Sequence, residues 1–299
     1  MCYDKKKPLG GLGMSVDILQ EKIRRAKNPL VLELNLSVSD IPSEFEKTSE
    51  GYGRFCRSLL EGLKNLVPAV RFSFSAFALS GAAEELKTTM RFAVDQGYYV
   101  ILDAPEIVSP YGAKMTADAL LGEHGEYPCD AVVISGYLGS DVIKPFLPYC
   151  KKGKKDVFVI ARTANKSAAE LQDLLSGTRL VHAAAADHVN RYGADTAGKS
   201  GYTRVGILAA ASSAESLRSL RGKYPKLFFL LDGYDYPNAN AKNCSFAFDK
   251  FGHGAAICSG MGITCAWKDA ESEQEAWLDH AKAAVERMKK NVTRYVSIL

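Results

Sequence analysis

The sequence lacks several features that would assign it to a class at once. It contains no stretch of about 18 uncharged apolar residues, so no segment is a candidate membrane span. The first residues, MCYDKKKPLGGLGM, lack the apolar core of a secretory signal, and we interpret residues 1–13 as a flexible N-terminal lead-in. We therefore expect no membrane partner and a cytoplasmic location.

Cysteine and histidine are present, but not at the spacings that bind metals. Seven cysteines lie scattered along the chain without a CxxC pair, and the five histidines show no spacing typical of metal ligands. An odd number of scattered thiols predicts neither a zinc site nor a disulfide framework, and it fits a reducing compartment. We expect no metal site.

The balance of charge is mildly basic, with a formal charge of +4 and a pI of about 8.5. The densest basic run, residues 151–155, has no interleaved aromatic residues and belongs to no recognised nucleic-acid module. We expect a solvated loop there and no nucleic-acid partner. An anionic small ligand is allowed by this charge but not required.

Eight short runs rich in apolar, β-branched or aromatic residues recur along the chain. They are continuous rather than alternating in polarity, which is typical of strands buried on both faces of a parallel sheet. The runs are residues 31–37, 69–77, 98–104, 131–137, 157–163, 204–210, 227–233 and 254–260. With helical patterns between them, they predict an α/β fold, a (β/α)8 TIM barrel that forms a single domain over residues 14–299. An open doubly wound sheet is the competing architecture.

Helical patterns fill the intervals between these runs. The predicted helices cover residues 55–67, 82–96, 113–121, 168–175 and 214–221, with an extra helix between residues 175 and 200. A helix over residues 16–27 precedes the first strand and is expected across the base or side of the barrel. A final helix near residues 272–296 would complete the outer ring.

Three segments carry the most specific information. Residues 98–122, YYVILDAPEIVSPYGAKMTADALLG, predict a buried strand that ends at Asp103, then a Pro-containing loop and a helix of small residues. This layout presents side chains at the carboxyl end of a strand, where α/β proteins place their sites. Residues 129–147, CDAVVISGYLGSDVIKPFL, and residues 157–172, VFVIARTANKSAAELQ, follow in that order. Together these segments resemble the orotidine 5′-phosphate decarboxylase family, in its longer bacterial branch, and the similarity extends from about residue 16 to residue 263.

The resemblance implies a function in pyrimidine (UMP) biosynthesis, as a carboxy-lyase that needs no metal and no organic cofactor. In the family motif D-x-K-x-x-D, the first Asp crowds the departing carboxylate and the Lys protonates the ring carbon that remains. The second Asp is donated across a dimer interface, and a Gln and an Arg on late loops hold the phosphate. The resemblance thus implies a homodimer that binds a small molecule of the nucleotide type, with binding energy and fixed charges as the source of catalysis.

The positions that match the family's catalytic residues are mostly altered. The first-strand Asp that grips the ribose falls at Asn35, the second-strand Lys falls at Arg71, and the first Asp of the motif is kept as Asp103. The motif Lys falls at Pro105, which has no proton to give, and the cross-dimer Asp falls at Val108. Asp103 and Arg71 are therefore the remaining catalytic candidates, and a salt bridge between them is the alternative interpretation.

The positions that match the family's substrate contacts are partly kept. The candidate substrate-binding residues are Asn35, Thr163, Asn165, Gly233 and Gly262. A Ser that contacts the pyrimidine falls at Ala164, the phosphate-binding Gln at Pro237, and the phosphate-binding Arg at Met261. Asp232 and Asp235 lie on the loop that holds phosphate in the family, where both would repel a dianion.

These replacements predict a barrel protein of this family in which decarboxylation is lost or strongly reduced. Two alternatives stay open. Lys114 or Arg162 could supply rebuilt catalytic groups in an active decarboxylase. The pocket could instead bind a different small ligand through Asp103, Arg71 and the tyrosines of the seventh loop, residues 234 and 236. Whether the chain is an enzyme is therefore not decided by its sequence.

Overall fold

The chain folds into a closed barrel in the computed structural model, which describes residues 15–104, 107–152, 155–269 and 276–299. Eight parallel strands, named β1 to β8 in chain order, pair in the circular order β1-β8-β7-β6-β5-β4-β3-β2. They are β1 Leu30–Leu34, β2 Ala69–Ser73, β3 Tyr99–Asp103, β4 Ala131–Ser135, β5 Asp156–Ile160, β6 Thr203–Ala210, β7 Leu227–Asp232 and β8 Ala255–Ser259. Because β1 pairs with both β2 and β8, the sheet is closed, so the predicted (β/α)8 barrel is confirmed and the open sheet is excluded.

Helices connect the strands around the barrel. The longer helices are Ser15–Ala26, Ser49–Gly62, Ala83–Asp95, Pro110–Leu121, Val181–Gly193, Ala214–Lys223 and Trp277–Thr293. The shorter ones are Phe74–Leu79, Ser140–Ile143, Leu147–Lys151, Ala241–Ser245 and Met261–Thr264. No helix within the described ranges is both long and apolar enough to cross a membrane. The predicted lead-in over residues 1–13 lies outside the described residues, and the single domain over residues 14–299 stays a prediction.

Side-chain capping explains where β2 ends. The Ser73 hydroxyl accepts a hydrogen bond from the backbone N–H of Ala76, so the chain turns from strand into the helix Phe74–Leu79. The run predicted as one strand over residues 69–77 is therefore a five-residue strand followed by a helix.

The first helix, Ser15–Ala26, seals the base of the barrel. Its side chains Val16, Leu19 and Ile23 are fully buried and belong to the same apolar cluster as Tyr99 and Phe158 inside the barrel. Burying an apolar side chain of this size contributes about 1.5–3 kcal/mol. The predicted position of this helix is confirmed, and it leaves the opposite, carboxyl end of the strands as the accessible face.

The predicted helix over residues 168–175 is wrong. Lys166–Glu170 form a 3-10 turn, and a short antiparallel hairpin pairs Leu175–Ser176 with Arg179–Leu180. Gly177 lies at the turn of the hairpin with a φ of +65°, a conformation that favours glycine. The extra helix predicted after residue 175 is present as Val181–Gly193.

Charged side chains continue the inward-facing rows of the strands at the carboxyl end. Successive side chains of a strand alternate between its two faces, so residues two apart share a face. Tyr99 and Ile101 lie in the inner apolar cluster, and Asp103 is next in the same row. The same spacing follows Ala69 with Arg71 on β2 and Leu230 with Asp232 on β7. The barrel therefore has an apolar interior and a charged upper layer.

Candidate functional site

A buried arginine on β2 forms the centre of this charged layer. The Arg71 side chain is 8% exposed and binds carboxylates from three other strands. Its Nε donates to Asp103 Oδ1 at 2.7 Å and its Nη1 donates to Asp232 Oδ1 at 2.6 Å. Glu33 Oε1 on β1 lies 3.5 Å from the same Nη1. The salt bridge between Arg71 and Asp103 that the sequence left as an alternative is therefore present, with two further carboxylates beside it.

Burial and the neighbouring charges shift the pKa values of Glu33, Asp103 and Arg71. Burial raises the pKa of Glu33 to about 7, against the opposing effect of Arg71. Burial likewise raises the pKa of Asp103. Burial alone would lower the pKa of Arg71, but Asp103, Glu33 and Asp232 together raise it well above its usual range. Arg71 therefore keeps its charge, while Glu33 is the carboxyl group that takes up a proton near neutral pH.

A cavity of about 330 Å³ opens above this network at the carboxyl end of the barrel. Active sites of barrels with this architecture lie at this end, on the loops that follow the strands. The residues that line the cavity are Glu33, Asn35, Arg71, Asp232, Gly233, Asp235, Tyr236, Gly260 and Met261. Three carboxyl groups and one guanidinium therefore face the same space, with an amide and a phenol at its wall.

Asp235 ties the loop after β7 to the end of β8. Its carboxylate accepts a hydrogen bond from the Ser259 hydroxyl at 2.7 Å and from the Gly260 backbone N–H at 2.6 Å. The Asp235 carboxylate therefore satisfies the backbone N–H of Gly260 just after β8, next to Met261 in the cavity wall.

Gly233 fixes the start of the loop after β7. Its φ is +74°, and a Cβ placed there would lie 2.2 Å from the Cβ of Ala164 and 2.5 Å from the Tyr236 ring. Neither the conformation nor the space allows a side chain at this position. Of the sequence-predicted site residues, Gly233, Asn35 and Arg71 line the cavity and Asp103 lies in the ion network with Arg71.

The remaining predicted substrate-binding residues make internal contacts instead. The Gln172 Oε1 accepts from the Thr163 backbone N–H at 2.8 Å, and Thr163 Oγ1 donates to Asn165 Oδ1 at 2.6 Å. Gly262 packs closely, because a Cβ there would lie 2.4 Å from Asp235 Oδ1 and 2.8 Å from Met288 Cε. The described residues that line the cavity do not include Thr163, Asn165 or Gly262.

The residues at the altered motif do not replace the missing groups. Pro105 lies outside the described residues, and Val108 is 78% exposed. Lys114 Nζ binds Asp118 at 2.6 Å, and Arg162 binds Asp173 through two nitrogens at 2.9 and 2.8 Å. Lys114 and Arg162, either of which could supply the cation of a rebuilt decarboxylase, are both absent from the residues that line the cavity.

Glu33 is the site residue that sequence reasoning missed. It lies in the apolar run of β1, two residues after Val31, whose side chain belongs to the inner cluster. That spacing alone places Glu33 on the inward face at the upper end of the strand. The sequence signal that could have identified Glu33 was therefore a charged residue within an otherwise apolar strand.

Comparisons with known proteins agree on one type of relative. No family model matches the chain. A protein of Petrotoga mobilis named orotidine 5′-phosphate decarboxylase is 26% identical over 286 residues, which cover 93% of this chain and 98% of the relative. A protein of the same name from Clostridium perfringens is 28% identical over 270 residues, which cover 87% of this chain and 92% of the relative. The solved structure of Leishmania donovani OMP decarboxylase matches with a TM-score of 0.70 and 25% identity over 93% of this chain and 99% of that one.

Proposed function

The chain belongs to the orotidine 5′-phosphate decarboxylase family, and from this premise we propose that it is a member in which decarboxylation of orotidine 5′-phosphate is lost or strongly reduced. One observation carries the proposal. Among the described residues that line the cavity, Arg71 is the one cationic side chain, and carboxyl groups of three strands already hold it. The described lining of the cavity therefore offers no cation that is available to the substrate.

The chemistry of the family needs a proton donor beside the ring carbon. The position of its lysine holds Pro105, which carries no ionisable proton. Arg71 does not substitute for the lysine, because its pKa is raised by Asp103 and its other carboxylate neighbours. A guanidinium held in its charged form is a poor general acid.

The charge of the site also opposes the reaction. Negative charge develops on the ring carbon as the carboxylate leaves, and catalysis requires fixed positive charge close to it. Here the carboxylates of Asp103 and Asp232 neutralise the positive charge of Arg71, and Glu33 adds a further acidic group. The arrangement would raise the energy of a carbanion-like transition state rather than lower it.

Binding of the substrate phosphate is weakened at the same end of the barrel. The family's phosphate-binding arginine corresponds to Met261, which is 52% exposed at the cavity wall. Asp235 already accepts the Gly260 N–H and would repel a dianion. Each lost charge-assisted hydrogen bond removes about 1.5–3 kcal/mol of binding free energy. The resemblance implies a small ligand of the nucleotide type, and we propose that any such ligand binds this chain without a phosphate clamp.

The proposal is tested by incubating the purified protein with orotidine 5′-phosphate and following the ultraviolet absorbance of the pyrimidine. The Clostridium perfringens relative, assayed in parallel, serves as the positive control. We expect no absorbance change above the uncatalysed rate. Turnover on the order of 1–10³ s⁻¹, the usual range for enzymes, would refute the proposal.

A further inference from the structure

We propose that Ser216, His182 and Asp173 form a second site, in which the Ser216 hydroxyl is a nucleophile toward the acyl group of small esters. The described lining of the cavity above Arg71 includes none of the three residues, so this inference goes beyond the proposed function and does not depend on it. The arrangement that carries it is a pair of hydrogen bonds on the two nitrogens of one buried imidazole ring.

Three separate segments of the chain bring these side chains together. Asp173 lies in a turn, whereas His182 and Ser216 lie in the first turns of two different helices, Val181–Gly193 and Ala214–Lys223. His182 Nδ1 lies 3.1 Å from Asp173 Oδ1, and His182 Nε2 lies 3.2 Å from Ser216 Oγ. A hydroxyl within hydrogen-bond reach of a base, with the base oriented by a carboxylate, is the arrangement that activates serine in hydrolases.

The neighbours of the imidazole ring decide which of its nitrogens carries the proton. Nδ1 of His182 faces two acceptors, the Asp173 carboxylate at 3.1 Å and the Gln172 carbonyl oxygen at 3.0 Å. In the neutral ring Nδ1 therefore carries the hydrogen and donates it, and Nε2 is an acceptor for the Ser216 hydroxyl. This is the tautomer in which a histidine can take the proton of a serine hydroxyl.

Asp173 is held in its charged form. Arg162 donates to both of its carboxylate oxygens, from Nε at 2.9 Å and from Nη2 at 2.8 Å. The hydrogen bonds from Arg162 lower the pKa of Asp173, against a smaller opposing effect of burial. The carboxylate is therefore ionised at neutral pH, and it can stabilise the imidazolium that forms when His182 takes up a proton.

The position of Ser216 in its helix places backbone donors beside its hydroxyl. The N–H groups in the first turn of a helix have no intrahelical acceptor, and Ser213, which precedes Ala214–Lys223, makes no side-chain capping hydrogen bond to them. Such N–H groups can donate to the negative oxygen that develops on an ester carbonyl during attack. The first turn of this helix therefore supplies both the nucleophile and donors for the oxyanion.

Limited exposure sets the class of substrate. The His182 side chain is 5% exposed and Ser216 is 7% exposed. A bulky acyl chain cannot approach a hydroxyl that is so little exposed, whereas an acetyl group is small enough for a modest opening. The substrate class is therefore esters of short acids.

The reaction proceeds in two steps. The Ser216 oxygen forms a bond to the ester carbonyl carbon, His182 Nε2 takes the hydroxyl proton, and the ester C–O bond breaks as the alcohol leaves with that proton. Water then forms a bond to the acyl carbon and gives a proton to His182, which returns it to the Ser216 oxygen as the acid leaves. Neither step requires an oxidant or a reductant.

The test uses the full chain and p-nitrophenyl acetate. We expect release of p-nitrophenolate and, after acid quenching, one acetyl group that peptide mass mapping places on Ser216. The octanoate ester should react more slowly, because Ser216 is 7% exposed. Methanesulfonyl fluoride, a small reagent for activated serines, should modify Ser216 and abolish hydrolysis.

Substitutions assign the groups. Ser216→Ala should lower hydrolysis to the rate of the buffer blank and remove the acetyl label. His182→Gln removes the base and should lower the rate by about 10²-fold or more. The matched control is Ser213→Ala, at the start of the same helix, which should keep both the rate and the label because Ser213 makes no capping hydrogen bond. Circular dichroism checks that each variant is folded.

Three results would overturn the inference: equal hydrolysis by wild type and Ser216→Ala, acetylation only of residues other than Ser216, or neither hydrolysis nor labelling of the wild-type chain. The labelling experiments use the wild-type chain, so they decide the matter even where a variant does not fold. Failure of the proposed function is distinguished from these results, because it shows itself as turnover of orotidine 5′-phosphate.

Discussion

Arg71 keeps a positive charge at the position that corresponds to the family's second-strand lysine. A charged group on β2 is expected at this position from the family, and the guanidinium is placed there by the alternation of the strand. The planar guanidinium group can donate to several acceptors at once. It forms ion pairs with Asp103, Asp232 and Glu33. We therefore propose that Arg71 acts as a structural counter-ion in a layer of carboxylates.

Replacing Arg71 should destabilise the barrel. The variant Arg71→Met leaves three carboxyl groups without a cation, which costs about 3–5 kcal/mol when a buried ion pair loses one partner. Urea denaturation at neutral pH measures this loss, and mild acidification should recover part of it by protonating the carboxyl groups. The control Arg25→Met removes an exposed pair with Glu21 and should cost about 1 kcal/mol or less. Equal stability of Arg71→Met and wild type would contradict the role given to Arg71.

Glu33 should make stability fall as pH rises. Its pKa is about 7 in the folded chain, against the ordinary value of 4.5. Below the ordinary value both states hold the proton, so Glu33 adds no pH dependence there. Between 4.5 and about 7 the unfolded chain ionises while the folded chain keeps the proton, so the free energy of unfolding decreases with rising pH.

The variant Glu33→Gln should therefore gain stability relative to wild type between acid and neutral pH. The expected relative gain is on the order of 3 kcal/mol over that interval, because one pKa unit corresponds to about 1.4 kcal/mol. Chemical denaturation at a series of pH values measures it. Glu61→Gln, which removes an exposed carboxylate, is the matched control for the substitution itself. A pH-independent difference for Glu33→Gln would show that its carboxyl group is not perturbed.

At the scale of elements, the loop after β7 shapes the cavity through Gly233. The variant Gly233→Ala would combine a positive φ with a Cβ only 2.2 Å from that of Ala164, so the loop must move. We expect a loss of about 2–3 kcal/mol, above the cost of about 1–2 kcal/mol for the left-handed conformation alone. The control is Gly177→Ala, since Gly177 has a φ of +65° and open space where its Cβ would lie. Equal thermal shifts for the two variants would show that the loop accommodates a side chain without strain.

The hairpin over residues 175–180 shows where sequence patterns mislead at this scale. The helix predicted over residues 168–175 would include Leu171, Leu174 and Leu175, which are 57%, 51% and 71% exposed. The chain turns away from helix because the Gln172 side chain bonds back to Thr163 and Gly177 allows the tight turn. Neither feature follows from the period of apolar residues, because one is a side-chain hydrogen bond between residues nine apart and the other depends on a single glycine.

At the scale of the molecule, the sequence predicted the barrel well and the site only in part. Strands buried on both faces give continuous apolar runs, and eight such runs were enough to predict the closed sheet. The position of Arg71 beside Asp103 was also predictable from neighbouring strands. The inward position of Glu33 also follows from its spacing in β1. Its ion pair with Arg71 and the hydrogen bond from Gly260 to Asp235 could not be predicted, because these groups meet only when the barrel closes.

The family relationship leads us to propose a homodimer. The motif position that donates an Asp across the family's interface holds Val108, which is 78% exposed, and Tyr111 beside it is 76% exposed. Sedimentation velocity should give twice the chain mass of 32.5 kDa. Val108→Arg should shift the chain toward monomer, whereas Phe251→Arg, on a loop at the opposite end of the barrel, should not. A monomer at micromolar concentration would contradict this proposal.

The most direct test of the account is release of labelled carbon dioxide from orotidine 5′-phosphate that carries the label in its carboxylate. It measures the bond that the family breaks, and it stays sensitive at high protein concentration and long incubation. Because Arg71 is held by its carboxylate neighbours and Pro105 has no proton to give, the account predicts release at the rate of the buffer blank. Release that scales with protein concentration at a turnover of about 1 s⁻¹ or more would contradict it.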